Sequence, residues 1–166
     1  MRFDPNSRQA IQGLKFQGDV QKELEKIFYE VIPVRDWLLS IDSQLSSRQL
    51  NLLEQTWGDL VVRLSPQSEP IFVECVSLNY ENSRFPESKV RKFSGDNKFY
   101  AFGWEGEITK YIPSATWNAY ARKLGSLSHF GRPYRKFSRR HIRGVRKGCI
   151  GGNDFKSLFE MNDKGE

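Results

Sequence analysis

Cysteine and histidine are almost missing from this chain of 166 residues, two of each. Cys75 stands in an apolar run and Cys149 in a glycine-rich stretch, while His129 and His141 lie apart in a basic region. Neither a disulfide framework nor a Cys/His structural zinc site is expected from so few, so differently set ligands. No apolar run approaches the roughly 18 residues of a membrane span, and the opening MRFDPNSRQA has no apolar signal segment. The expectation is a reduced, intracellular, cytoplasmic protein with no membrane partner. No glycine-rich loop has nucleotide-binding context, since GCIGGN matches neither of the usual phosphate loops. No serine has a credible His and Asp partner set.

The most telling absence is of negative charge. Between Glu107 and Asp154 there is no acidic residue, while Lys110, Arg122, Lys123, Arg132, Arg135, Lys136, Arg139, Arg140, Arg143, Arg146 and Lys147 all fall there. The net charge is +6, so the rest of the chain is net acidic. Such asymmetry is the electrostatic footprint of a polyanion partner. Arg132, Arg135, Lys136, Arg139, Arg140, Arg143, Arg146 and Lys147 are the candidate phosphate contacts, on a weak helix interrupted by Gly144 and Gly148 or on an arm that orders on binding.

What is present supports a folded α/β domain, with four Trp, six Tyr and twelve Phe to fill an interior. Residues 1–17 read as a polar arm. Asp19 is a candidate N-cap for a helix in which Val20, Leu24, Ile27, Phe28 and Val31 recur at helical spacing, with Pro33 as its stop. Val34–Ile41 reads as a strand, and Asp42 or Ser43 could cap a helix through Leu45, Leu50, Leu53 and Trp57. Asn79–Phe85 reads as a loop, followed by a helix from Pro86 through Val90 to Phe93. Lys98–Trp104 reads as an aromatic strand, Glu105-Gly106 as a turn, and Glu107–Ile112 as the returning strand. A helix capped by Ser114 runs through Trp117, Tyr120 and Leu124 to Gly125, and Asp154–Glu166 has enough apolar residues for one docking turn. The division is an arm at 1–17, an α/β core at 18–125 and a basic C-terminal extension at 126–166.

Within the core, Gly58 to Leu78 reads as two strands joined by a polar loop, Ser65–Pro70. Glu74, among Phe72, Val73, Cys75 and Val76, is costly to bury without a partner. Folding the hairpin about its loop midpoint sets Asp59 opposite Val76, with Glu74 its diagonal neighbour about 7–8 Å away. One divalent cation could fill that gap; alternatively Asp59 caps a strand and Glu74 meets an arginine such as Arg63 or Arg91.

Helix, Asp strand, Glu strand, helix and aromatic strand, in that order, resemble the PD-(D/E)xK nuclease superfamily, particularly small Holliday-junction resolvases and similar phage or mobile-element endonucleases. VQKELEKIF (20–28) resembles its first helix, GDLVV (58–62) its aspartate strand, IFVECVS (71–77) its Glu-x-Lys strand, and ESKVRKF with KFYAFGW the helix and strand that follow. The resemblance spans residues 18 to 112 and implies a restriction-endonuclease-like mixed central sheet flanked by helices.

It further implies a Mg²⁺-dependent endodeoxyribonuclease, with Mn²⁺ as substitute, in which Asp59 and Glu74 hold the metal. The motif lysine falls on Val76, so Lys89 and Lys92 on the next helix are the candidate substitutes. The first-helix glutamate falls on Gln21, with Glu23 and Glu25 nearby. Implied partners are duplex or branched DNA, with RNA as the other polyanion the basic segment would accept, and a homodimer where two strands are cut. The host would be prokaryotic or phage-infected. The competing expectation is a nuclease fold without catalysis, serving as a nucleic-acid-binding subunit, adaptor or inhibitor in a larger assembly.

Overall fold

A computed structural model describes residues 8–78, 82–104, 109–129, 131–138 and 150–164. Helix α1 (Arg8–Glu25) begins well before Asp19, so residues 8–17 are helix and not part of a loose arm. Phe16 anchors this early portion by lying over Gly103, where the absence of a side chain leaves room for the ring. Val20 and Leu24 are fully buried, as their spacing predicts. The helix ends at Glu25, however, and Val31 belongs to strand β1 (Glu30–Pro33).

The stretch expected as a strand is helix α2 (Val34–Ile41). Val34, Trp37, Leu38 and Ile41 recur at i, i+3, i+4 and i+7, the spacing of one helical face, and Val34 and Leu38 are buried. Pro33 at its N-cap, φ −59°, sets the entry. Helix α3 (Ser47–Trp57) starts later than Asp42 or Ser43 would place it, because Ser46 and Gln49 form a reciprocal capping box.

Strands β2 (Leu60–Arg63) and β3 (Ile71–Leu78) form the expected hairpin. Next come β4 (Asn82–Pro86), where a loop was expected, and α4 (Glu87–Lys92) with Pro86 as its N-cap residue. Strand β5 (Lys98–Trp104) is the predicted aromatic strand, and β6 (Lys110–Pro113) returns antiparallel to it. The expected turn at Glu105-Gly106 lies outside the described residues. Helix α5 (Ser114–Ala121) has Pro113 at its N-cap, and Ser114 instead donates its hydroxyl to the Gly95 carbonyl, 3.2 Å away.

The main sheet runs β1-β2-β3-β5-β6. Only β3 and β5 pair in parallel, so the sheet is mixed and mostly antiparallel. Alternation along β3 divides the core. Phe72 and Val76 face a cluster built with α2, α3, α4 and α5, whereas Val73 and Cys75 face a second cluster built with α1.

The basic segment is not a striped helix where it is described. Its first part forms β7 (Ser126–His129) and β8 (Arg132–Ser138), which join β4 in a three-stranded antiparallel sheet ordered β4-β8-β7. Arg135 takes an inward position and Tyr134 an outward one, so the polar/apolar alternation of a half-buried strand is hidden in the sequence. Helix α6 (Gly152–Lys164) then docks on the second cluster, with Phe155 fully buried and stacked on Tyr111 at 4.6 Å between ring centres. The described residues after 125 are thereby tied to β4, α4 and β6.

Candidate active site

Gly58 sets the geometry. It adopts φ +86°, and a Cβ there would press on the Phe93 ring and the Val73 carbonyl, each at 3.0 Å. Glycine thus ends α3 and places Asp59 directly against β3. The Asp59 amide donates to Val73 O (2.9 Å), and its own carbonyl accepts from the Val34 amide (2.8 Å). Its Oδ2 accepts from the Cys75 amide at 2.8 Å.

Because Leu60 pairs with Val73, Asp59 continues the ladder opposite Glu74. The midpoint-folded hairpin, which set Asp59 across from Val76, is therefore out of register. The loop is not symmetric about its centre, since pairing resumes at Val62↔Ile71. The two carboxyls are therefore neighbours across the ladder, and the Glu74 charge acts directly on Asp59.

Glu74 is only 6% exposed. Its Oε1 accepts from Lys89 Nζ at 2.8 Å. Lys89 comes from α4, whose inward residues Val90 and Phe93 are buried in the first cluster. Val76, two residues beyond Glu74 on the same face, packs against that cluster. A cation therefore reaches Glu74 from the helix side while the strand position carries an apolar side chain.

Electrostatics follow from two acids and one base in a half-closed space. Burial, then the Glu74 charge, holds the Asp59 carboxyl well above the usual carboxylate range; Lys89 and the Cys75 amide oppose this without reversing it. Burial disfavours the Lys89 ammonium, but Glu74 and then Asp59 outweigh it and raise its pKa. Burial, with Asp59 and Glu74 behind it, pushes the Cys75 thiol well up, so it stays protonated and weakly nucleophilic at neutral pH.

A buried polar network supports α4 from behind. The Tyr100 hydroxyl donates to Asn118 Oδ1 (2.8 Å), and Asn118 Nδ2 donates to the Phe93 carbonyl (2.8 Å) at the end of α4. Burial and then Glu74 raise the Tyr100 pKa, which keeps it a phenol. Tyr100 and Asn118 were not expected at the site. The signal for Asn118 was an amide beside Trp117 on an otherwise apolar helix face; the Cys75 amide, as main chain, leaves none.

The other sequence candidates lie elsewhere. Lys92 Nζ donates to Gln55 on α3 (2.8 Å) at the surface. Gln21 donates to Glu25 on an exposed stretch of α1, and Glu23 accepts from Tyr111 at 3.1 Å. Since α1 packs on the sheet face opposite Glu74, no first-helix acid joins the pair. Arg63, weighed as a partner for Glu74, lies 3.9 Å from Glu30.

Arg135 is committed inside the fold: it donates to Glu87 (2.7 Å) and to the Leu124 carbonyl (3.2 Å). Arg132 and Lys136 are exposed. Arg139, Arg140, Arg143, Arg146 and Lys147 lie outside the described residues.

No protein-family model matches the chain, and no curated protein matches it in sequence. In structure it is similar to the Holliday junction resolvase Hjc of the archaeal hyperthermophile Archaeoglobus fulgidus, with a TM-score of 0.50 and 10% identity. The match covers 87% of this chain and 95% of that one. At this identity the likeness is one of fold, a mostly antiparallel mixed sheet flanked by helices. Among the described residues no helix is long and apolar enough to cross a membrane.

Proposed function

We propose that this protein is a metal-dependent endonuclease of the PD-(D/E)xK type, hydrolysing phosphodiester bonds in DNA. The observation that carries the reading is the Lys89–Glu74 contact beside Asp59: two acids and a lysine meet although the strand position that normally supplies the lysine is Val76. The fold shared with a resolvase makes branched DNA the first substrate to try.

The donor set fits a hard divalent cation. Among the described residues no cluster of three or more Asp, Glu, His or Cys forms a cage, so protein ligands would be few, as Mg²⁺ accepts when it retains waters. Asp59 and Glu74 supply carboxylate oxygens. The Cys75 carbonyl leaves the strand on the same edge as its amide, which already meets Asp59. One ammonium serves two acids, so ionising Asp59 beside the paired Glu74 is costly, and a bound cation would remove that cost. When bound, Mg²⁺ or Mn²⁺ would act as Lewis acid, lowering the pKa of water and offsetting phosphate charge.

The chain's own residues do the rest. Lys89, held protonated by its raised pKa, acts as a hydrogen-bond donor to developing phosphate charge and not as a general base. Asp59 is oriented through three main-chain contacts, so its position is set before substrate arrives. Val76 and the first cluster limit water behind Glu74.

The test is cleavage of supercoiled plasmid and a labelled four-way junction with Mg²⁺ and then Mn²⁺. Wild type should cut, and Asp59→Asn, Glu74→Gln and Lys89→Met should not, with binding retained. One observation favours a second reading: Glu74 is already paired with Lys89 and Asp59 favours its neutral form, so the centre is self-neutralised. Binding without cutting in either metal would support a non-catalytic nucleic-acid-binding subunit.

A further inference from the structure

We infer that the outer face of the three-stranded sheet β4-β8-β7 is a duplex-DNA docking surface whose two basic ends each meet one phosphate backbone. The inference names the substrate-holding surface of the proposed nuclease and rests on that reading for its biological meaning.

Register defines the face. Phe85 is buried in the first cluster and pairs with Arg135, so that side of the sheet faces inward. The opposite side therefore carries the alternate positions. At one end Arg84 is directly across from Lys136, and at the other His129 is across from Arg132. Between them Tyr134 is flanked by Pro86 and Leu127. Like charges directly opposed across a strand pair are destabilising. No acidic residue occupies any position of β4, β7 or β8. Arg132 and Lys136 are both exposed on this face, and positive charge set on strands that carry no acid suits an external polyanion.

The spacing selects a duplex. Arg132 and Lys136 are four residues apart on one strand, which is about 13 Å. The major groove of B-DNA is roughly 12 Å wide, so the two ends can rest on the backbones flanking it while the apolar middle spans the groove. The sheet is also fixed to the candidate centre. Pro86 ends β4 and caps α4, the helix bearing Lys89, and Arg135 on the inner side pairs with Glu87 in that helix's first turn. DNA held on this face is thereby referenced to Asp59, Glu74 and Lys89.

The experiment measures binding of the full chain, in EDTA, to a duplex of about 20 base pairs over a range of salt. Arg132→Glu/Lys136→Glu and the neutral Arg132→Gln/Lys136→Gln are compared with Lys15→Glu/Lys22→Glu, which places the charge change of the Glu pair on α1. Thermal melts establish that each variant is folded. The Gln pair should weaken binding roughly tenfold or more at low salt and lower the slope of log K against log salt by about 2. The Glu pair should lose more, and the α1 pair should change affinity less than about threefold.

Equal losses in the α1 and sheet variants would overturn the surface, as would unchanged binding in the sheet variants. Single-stranded DNA of the same length binding as tightly, with the same sensitivity to the Gln pair, would overturn the duplex assignment. Cleavage by wild type together with normal binding by the sheet variants would sink the surface while the nuclease reading stands. Sheet-dependent binding with no cleavage in Mg²⁺ or Mn²⁺ would do the reverse.

Discussion

Asp59→Asn should make the metal-free protein more stable at neutral pH, although it removes a proposed metal ligand. Asparagine is isosteric with the protonated acid: its carbonyl oxygen can accept from the Cys75 amide, now 2.8 Å from Oδ2, and its NH₂ can donate to Glu74. What disappears is the charge. Burial opposes that charge first and the Glu74 charge adds to it; for scale, like charges about 4 Å apart repel by roughly 4 kcal/mol at an effective dielectric of about 20. Lys89, 2.8 Å from Glu74, offsets a large part of this. A net relief of about 2 kcal/mol remains, equivalent to a rise in Tm of roughly 4–8 °C for a domain of this size.

The pH dependence follows from the sign of the shift. The Asp59 pKa is raised above its unfolded value of 3.8. Between those two values the native state binds more protons than the unfolded state, so wild-type stability falls as pH rises through the window. Below 3.8 both states are protonated and the penalty is absent. The advantage of Asp59→Asn should therefore grow as pH rises above 3.8 and vanish as pH falls towards it. Calorimetric melts in EDTA across that range measure it directly. A mutant less stable than wild type at pH 7, or a difference independent of pH, would refute the electrostatic account. Adding Mg²⁺ gives an independent contrast: wild type should be stabilised by mass action, and the mutant should respond far less.

Lys89→Met should cost about 3 kcal/mol at neutral pH, since breaking a buried pair strands the remaining acid. Urea titration should find much of that loss restored in Lys89→Met/Glu74→Gln. The stabilisation by Lys89 should be present throughout neutral pH and lost only at alkaline pH, because its folded pKa lies above 10.5. Asn118→Leu leaves the Tyr100 hydroxyl and Phe93 carbonyl without this partner and should cost about 2 kcal/mol; thermal melts check it. Gly103→Ala should displace the Phe16 ring, because its new Cβ would occupy the ring's position. The expected loss is about 1–3 kcal/mol, with faster proteolysis before Val20 as the signature of an undocked α1.

Elements whose burial is written in their own residues could be read from the sequence. Lys98–Trp104 is strand because its aromatics pack on both faces of the sheet, and Val20 and Leu24 mark the inner stripe of α1. Misreadings arose where a local pattern was ambiguous or the deciding partner was remote. Val34–Ile41 has both β-branched content and a helical stripe, and Pro33 plus the inward pair Val34 and Leu38 resolve it towards helix. Asn82–Pro86 shows no strand pattern of its own; it is a strand because it pairs with Arg132–Ser138, some fifty residues later.

The site divides along the same line. Two acids on adjacent strands are visible as residues, but their juxtaposition depends on hairpin register, and register depends on where an irregular loop lets pairing resume. Lys89 and Lys92 are indistinguishable by sequence, one turn apart on the same helix. Val90 and Phe93 fix the rotation of α4, and Tyr100 with Asn118 fixes the end of that helix. Lys89 then meets Glu74, while Lys92 is left to Gln55 on α3. Under the proposed function, which lysine could stand in for a motif lysine at Val76 is decided by the apolar and amide contacts behind the helix. A centre of that proposed kind would escape any search by a fixed Glu-x-Lys spacing, because its lysine comes from the next helix.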